Sequence, residues 1–186
     1  MAIDSIRQMT VEEYFAFDEA SEYKNEYIDG EVYPMTGGTF NHAAIMLNAS
    51  GALWLRLKGS DCRVLTSAMR IRVSPTRYVY PDLSVVCGEP VTDERSINLF
   101  NPVLVAEVTS PSSLDYDRGD KLHYYQSIAS LQVVLIIDQQ RVFVELYERH
   151  DGSWRLREFS GLDAVAPLVP LDCELPLADI YDGIPV

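Results

Sequence analysis

The chain has 186 residues, 47% of them hydrophobic, enough apolar material for one substantial core and too little for two, so a single domain over residues 1–186 is expected. Its longest apolar runs, such as Gln132–Asp138, fall far short of the roughly 20 residues of a membrane helix, and the amino terminus lacks a basic region followed by an apolar one, so a soluble, cytoplasmic protein with no membrane partner is expected. Fifteen basic against twenty-eight acidic residues leave a net charge of −13, the wrong sign for loose, non-specific binding to nucleic acid.

In chain order, Thr10 to Ser21 reads as a first helix, with Thr10 and Glu13 as a capping box and Val11, Tyr14, Phe15 and Phe17 as its apolar side. Two short alternating runs then flank Asp29-Gly30, a dipeptide suited to a tight hairpin turn, and Glu26 and Glu31 are their notable charges. A helix from about Asn41 to Lys58 follows, its buried face expected to include Ala44, Leu47 and Leu55. His42 at its start would tend to be neutral and could contact substrate; a capping or plain surface role is the alternative.

Cys62–Thr66 and Met69–Val73 look like a hairpin, with Arg70 and Arg72 sharing one face, able to grip phosphates or to pair with surface acids. Arg56, Lys58, Arg63, Arg70, Arg72 and Arg77 hold six of the fifteen basic residues with Asp61 the single acid among them, either a local phosphate-facing surface or a solvated helix end and strand face. Cys62, Cys87 and Cys173 are widely separated, in apolar contexts and without zinc-site spacing, so reduced core cysteines are expected.

The stretch from Tyr80 to Asp138 carries the chemistry. Asp82 precedes one apolar strand, LSVVC, and Glu107 lies inside another, Pro102–Ser110, near its carboxyl end. A charge there costs several kcal/mol unless paired. The intervening Gly88–Asn101 is a polar connection with no assigned chemistry. After the Ser110–Ser113 turn, Asp117 is expected to cap a helix whose first turn carries Asp120 and Lys121, with Leu122, Tyr125 and Ile128 at helical spacing. An Asp and a Glu offer hard oxygens suited to Mg²⁺ or Mn²⁺, and a nearby lysine can orient a water or offset phosphate charge. Beyond Asp138, Arg141–Arg149 and Ser153–Phe159 read as two antiparallel strands, and the proline-rich tail from Pro167 is expected to dock back on the domain or on a partner subunit.

The combined pattern of Pro81-Asp82, then Glu107-Val108 with Ser110-Pro111-Ser112, then Asp117, Lys121, Tyr125 and Ile136-Ile137-Asp138 resembles a family of uncharacterised prokaryotic restriction-endonuclease-like proteins within the PD-(D/E)xK nuclease superfamily. The resemblance implies an α/β fold, a restriction-endonuclease-like core with a mixed central β-sheet flanked by helices and added antiparallel hairpins. It further implies a Mg²⁺-dependent (or Mn²⁺-dependent) endonuclease acting on DNA, in which Asp82, Glu107 and the Val108 carbonyl hold the cation and Lys121 completes the catalytic set. Glu26 would be an additional acid reaching the metal, an exposed hairpin glutamate being the alternative. The superfamily's lysine is expected two residues after the glutamate, where this chain has Thr109, so Lys121 from the following helix must take that role. A homodimer is expected, since a two-fold protein suits cutting both strands of a duplex. The rival is a nuclease-derived binding module that has lost turnover and acts through a protein partner; hydrolysis of RNA or another phosphodiester also stays open.

Overall fold

The computed structural model describes residues 8–35, 37–109 and 116–186; the Ser110–Ser113 turn lies outside them. Helix α1 (Val11–Ala20) starts on the expected capping box: the Glu13 N–H donates to the Thr10 hydroxyl at 3.2 Å and the Thr10 N–H to the Glu13 carboxylate at 2.8 Å. Thr10→Ala should therefore cost about 1 kcal/mol, seen in calorimetry as a fall in Tm of about 2–4 °C. Strands β1 (Asn25–Ile28) and β2 (Glu31–Pro34) form the expected hairpin, and Asp29 and Gly30 adopt φ of 50° and 101°, the left-handed pair that a two-residue turn of this twist requires. Tyr14 of α1 packs on Tyr27 and is buried with Val32 and Tyr78, which fixes α1 against this hairpin.

Helix α2 (Phe40–Leu57) begins at Thr39, whose hydroxyl accepts the His42 N–H. Strand β3 (Cys62–Thr66) is followed by β4 (Arg70–Ser74), β5 (Arg77–Val79), β6 (Leu83–Cys87), β7 (Asn98–Leu99) and β8 (Leu104–Thr109). A π-type turn, Asp117–Lys121, leads into α3 (Leu122–Gln126). Strands β9 (Val133–Asp138), β10 (Phe143–His150) and β11 (Ser153–Ser160) come next, then β12 (Val165–Leu168), β13 (Cys173–Pro176) and α4 (Leu177–Ile180).

Two larger sheets result. The order β2-β1-β5-β4-β7 makes one and β11-β10-β9-β8-β6-β3 the other. In the six-stranded sheet β8 and β9 are parallel and every other pair is antiparallel, the mixed sheet expected for this α/β fold. Strands β6, β8 and β9 are buried on both sides, which is why they read as near-continuous apolar runs. One face, with Leu83, Val85, Leu104, Ala106 and Val108, packs on α2 and the carboxyl-terminal segment. The other, with Val86, Val105, Val134 and Ile136, packs on Leu122 and Tyr125 of α3 and on the five-stranded sheet through Ile71, Val79 and Leu99. The tail docks back on the chain as expected: Leu175, Leu177 and Ile180 join the α2 core, and Asn48 donates to the Ile180 and Asp182 carbonyls.

Three expectations are corrected. β3 pairs with β6 and β4 with β5 and β7, so Cys62–Thr66 and Met69–Val73 are not a hairpin; the turn between them carries the chain from one sheet to the other. Alternation identifies a strand but not its partner. Because β3 lies beside β6, Cys62 stands directly opposite Cys87 and the two are joined as a disulfide, leaving Cys173 free. Helix α2 buries Ile45, Ala49, Ala52, Leu53 and Leu57, whereas Leu47 and Leu55 face outward. No helix among the described residues is long and apolar enough to cross a membrane.

Candidate metal-binding and catalytic site

The antiparallel register of β6 and β8 ends at Leu83↔Ala106, and one more step along it sets Asp82 opposite Glu107. An Asp82 carboxylate oxygen accepts the Val108 N–H at 2.7 Å. The N–H and C=O of a strand residue point to the same edge. The Val108 carbonyl therefore faces the same side as Asp82, past the last rung of that ladder. Side-chain alternation puts Glu107 on the face of Val105, toward α3. The two acids and the carbonyl expected to hold a cation thus come from two hydrogen-bonded neighbours at one sheet edge.

Lys121 rises into this edge from the π-type turn. Its ammonium lies 3.0 Å from the Glu107 carboxylate and 3.0 Å from that of Glu26. The same Glu26 oxygen accepts the Tyr80 N–H at 3.0 Å, so β1 of the other sheet pins the backbone just upstream of Asp82. The exposed-hairpin reading of Glu26 is overturned, since its side chain is buried. The Tyr125 hydroxyl donates to the Glu107 oxygen that Lys121 contacts. Thr109, where the superfamily pattern expects its lysine, is buried with its hydroxyl against the Ile137 carbonyl.

Asp117 does not cap the helix. It is buried inside the π-type turn, which Gly119 breaks with φ −96° and ψ −107°, and its charge acts on His42, Glu107 and Lys121. Four buried carboxylates, Glu26, Asp82, Glu107 and Asp117, thus gather at this edge; Lys121 pairs with Glu26 and Glu107, and Asp82 with His42. Burial pushes the Glu107 carboxyl well above the usual range, Asp82 and Asp117 add to the rise, and the pull of Lys121 and the Tyr125 hydrogen bond does not cancel it. Burial acts to lower the Lys121 pKa, but Glu107 and Glu26 prevail and hold it well above the ordinary lysine value. A divalent cation fits the hard carboxylate oxygens of this donor set. Among the described residues, no three acidic or imidazole ligand atoms at this edge lie within 4.8 Å of one another.

His42, at the start of α2, reaches the same edge from the opposite layer, with Nε2 3.2 Å from the Asp82 carboxylate. That hydrogen bond raises the His42 pKa against the opposing effect of burial, the reverse of the downward pull expected at a helix amino terminus. The stability from this pair is fully present below the unfolded pKa of about 6.5 and lost as pH rises through the folded value. An NMR titration should find His42 above about 6.5, and Asp82→Asn should bring it down. Gly38 is constrained by the same ring, since a Cβ there would sit 2.7 Å from His42 Nδ1.

The arginines do not join the site. Arg70 is buried in the five-stranded sheet, donating to Asp18 at 2.9 Å, Tyr14 at 3.0 Å and Asn98 at 2.5 Å, and Arg72 stacks over Phe100. Half of the six basic residues of that stretch are neutralised in pairs: Arg56 with Asp179, Arg70 with Asp18 and Arg77 with Asp29. Strand alternation placed two arginines on one face, but the partners that hold them, Asp18 for Arg70 and the Phe100 ring for Arg72, are remote in sequence.

A family model described as "Putative restriction endonuclease" matches residues 11–178. The chain belongs to the Uma2 family. An uncharacterised protein of Synechocystis sp. is 35% identical over 180 residues, covering 95% of this chain and 93% of that one. A second from the same organism is 34% identical over 167 residues, covering 88% and 94%. The crystal structure of a "putative nuclease belonging to DUF820" from Anabaena variabilis matches with a TM-score of 0.75 over 93% of this chain and 97% of that one, at 20% identity, a likeness of fold. In this Uma2 chain, Asp117 and Tyr125 are the members of the buried cluster whose part the sequence reading missed. The signal was present, since Asp117, Lys121 and Tyr125 recur every fourth residue and so lie on one helical face.

Proposed function

We propose that this chain is a divalent-cation-dependent nuclease that hydrolyses DNA phosphodiesters. The observation that carries the reading is the buried set of Asp82, Glu107 and Lys121 brought together at one sheet edge. Asp82, Glu107 and the Val108 carbonyl would hold Mg²⁺ or Mn²⁺, which when bound polarises a phosphate and makes its water more acidic. Lys121 holds Glu26 and Glu107 with two of its three protons, and the third would be offered to a water or phosphate oxygen beside Glu107. Tyr125 and Glu26 act as positioning residues, fixing the Glu107 oxygen and the ammonium so that neither reorganises as charge builds. The chain works as a homodimer on a two-fold duplex, within a single domain.

The rival binding-module reading keeps one specific support, the net charge of −13 with half of the expected basic cluster tied up in ion pairs. Supercoiled DNA incubated at low salt with Mg²⁺ or Mn²⁺ separates the two. Nicking that stops on chelation supports the nuclease. Intact DNA across a panel of duplex, single-stranded and RNA substrates, with cation bound, would hand the site to the binding module and its protein partner.

A further inference from the structure

Helix α2 is apolar on both sides. Its inner face fills the core, and on the opposite side Phe40 is 78% exposed, Leu47 69%, Trp54 54% and Leu55 65%. These residues and Gly51 line one stripe along the length of the helix, on the order of 500 Å² of apolar surface. A helix that is hydrophobic all round belongs in an interior, and within this chain α2 has an interior on one side only.

We infer that the outer face of α2 is an interface with a second copy of this chain, the two α2 helices crossing antiparallel about a two-fold axis near Gly51. Charge selects the occupant. From Phe40 to Leu55 the chain has no Asp, Glu, Lys or Arg, so in a molecule of net charge −13 the stripe itself sets no acid of α2 against its copy; of the acids of the carboxyl-terminal segment beside α2, Asp179 is paired with Arg56. A strongly charged partner would gain nothing from this face. Shape agrees: a Cβ on Gly51 would meet nothing within 4 Å, so the backbones can approach closely at the crossing. An antiparallel crossing sets Leu47 of each copy against Trp54 and Leu55 of the other, which makes the patch self-complementary. The two stripes together contribute roughly 1,000 Å², the apolar centre of an interface of standard size. Lys58, already over the Trp54 ring at 5.6 Å, lies at the end of the stripe, near Phe40 of the second copy. Because His42 lies on the same helix, nine residues from Gly51, the two candidate sites would stand about 27 Å apart along the helices. The inference supplies a surface for the pairing proposed above but does not need the hydrolytic reading, since association is measured without substrate.

Sedimentation velocity on the full chain tests it. The wild type is expected at twice the 21.0 kDa chain mass, and the Leu47→Glu/Leu55→Glu double variant at the single mass with an unchanged circular dichroism spectrum. Gly51→Cys should form a covalent dimer on mild oxidation, and Leu156→Cys, an exposed position on β11, should not. A monomeric wild type would overturn the inference and pass the face to another protein. A dimer that survives the two glutamates, or that cross-links as readily through Leu156→Cys, would place the contact elsewhere and overturn it too.

Discussion

Asp82→Asn and Glu107→Gln are each expected to lower DNA cleavage by roughly 10³-fold or more, about 4 kcal/mol of transition-state stabilisation at 1.36 kcal/mol per tenfold. Each substitution keeps the shape of a side chain at the sheet edge and removes a hard anionic oxygen from a proposed cation ligand. Loss of activity by misfolding is distinguishable, because the Glu107 variant should move the other way in stability. The folded-state pKa of Glu107 is raised, so its stability contribution is fully present below the unfolded value of about 4.3 and lost as pH rises. At neutral pH the buried charge therefore costs stability, and Glu107→Gln should raise Tm at pH 7 while abolishing turnover, a trade expected of functional sites. The gain should fade as the pH falls toward the ordinary carboxylate range. Calorimetry between pH 4 and pH 8 reads it, and a lower Tm for the glutamine variant at pH 7 would show that Glu107 serves the fold.

Lys121→Met should be the most destabilising single change at the site. It leaves Glu26 and Glu107 buried without their shared ammonium, and removing one partner of a buried ionic cluster costs about 3–5 kcal/mol. For a chain of this size that is a fall in Tm of about 10 °C or more. Lys121 holds the Glu107 pKa down against burial, so without the ammonium that pKa rises further and the missing stability should return as pH drops below it. Adding Glu107→Gln to Lys121→Met should recover much of the loss at pH 7, because one of the two stranded charges is gone. A double-mutant cycle in denaturant measures that coupling. Additive effects would mean that Lys121 and Glu107 do not depend on each other.

The sheet edge was legible in the sequence because its signals are local. LSVVC and LVAEVT are apolar runs too short for helices, a charge inside the second needs a partner, and Lys121 follows that strand by a short loop. Their meeting depended on β6 and β8 being neighbours, which the spacing allows without dictating. What stayed hidden was set by distant residues. Arg70 is held by Asp18 and Asn98, Cys62 meets Cys87 across a pair that mistaking β3–β4 for a hairpin concealed, and buried Glu26 meets Tyr80 and Lys121, both remote in sequence. Helix α2 misled for a different reason. With apolar residues on every side its pattern has no phase, so Leu47 and Leu55 read as core although they face outward.

The most direct test of the account is a calorimetric titration of Mn²⁺ into the wild type, Asp82→Asn and Glu107→Gln, with no nucleic acid present. Saturable binding of one cation per chain to the wild type, weakened at least tenfold in both variants, is the predicted result. Absence of binding to the wild type, or equal binding to all three proteins, would contradict the assignment of this sheet edge as a cation site and with it the proposed chemistry.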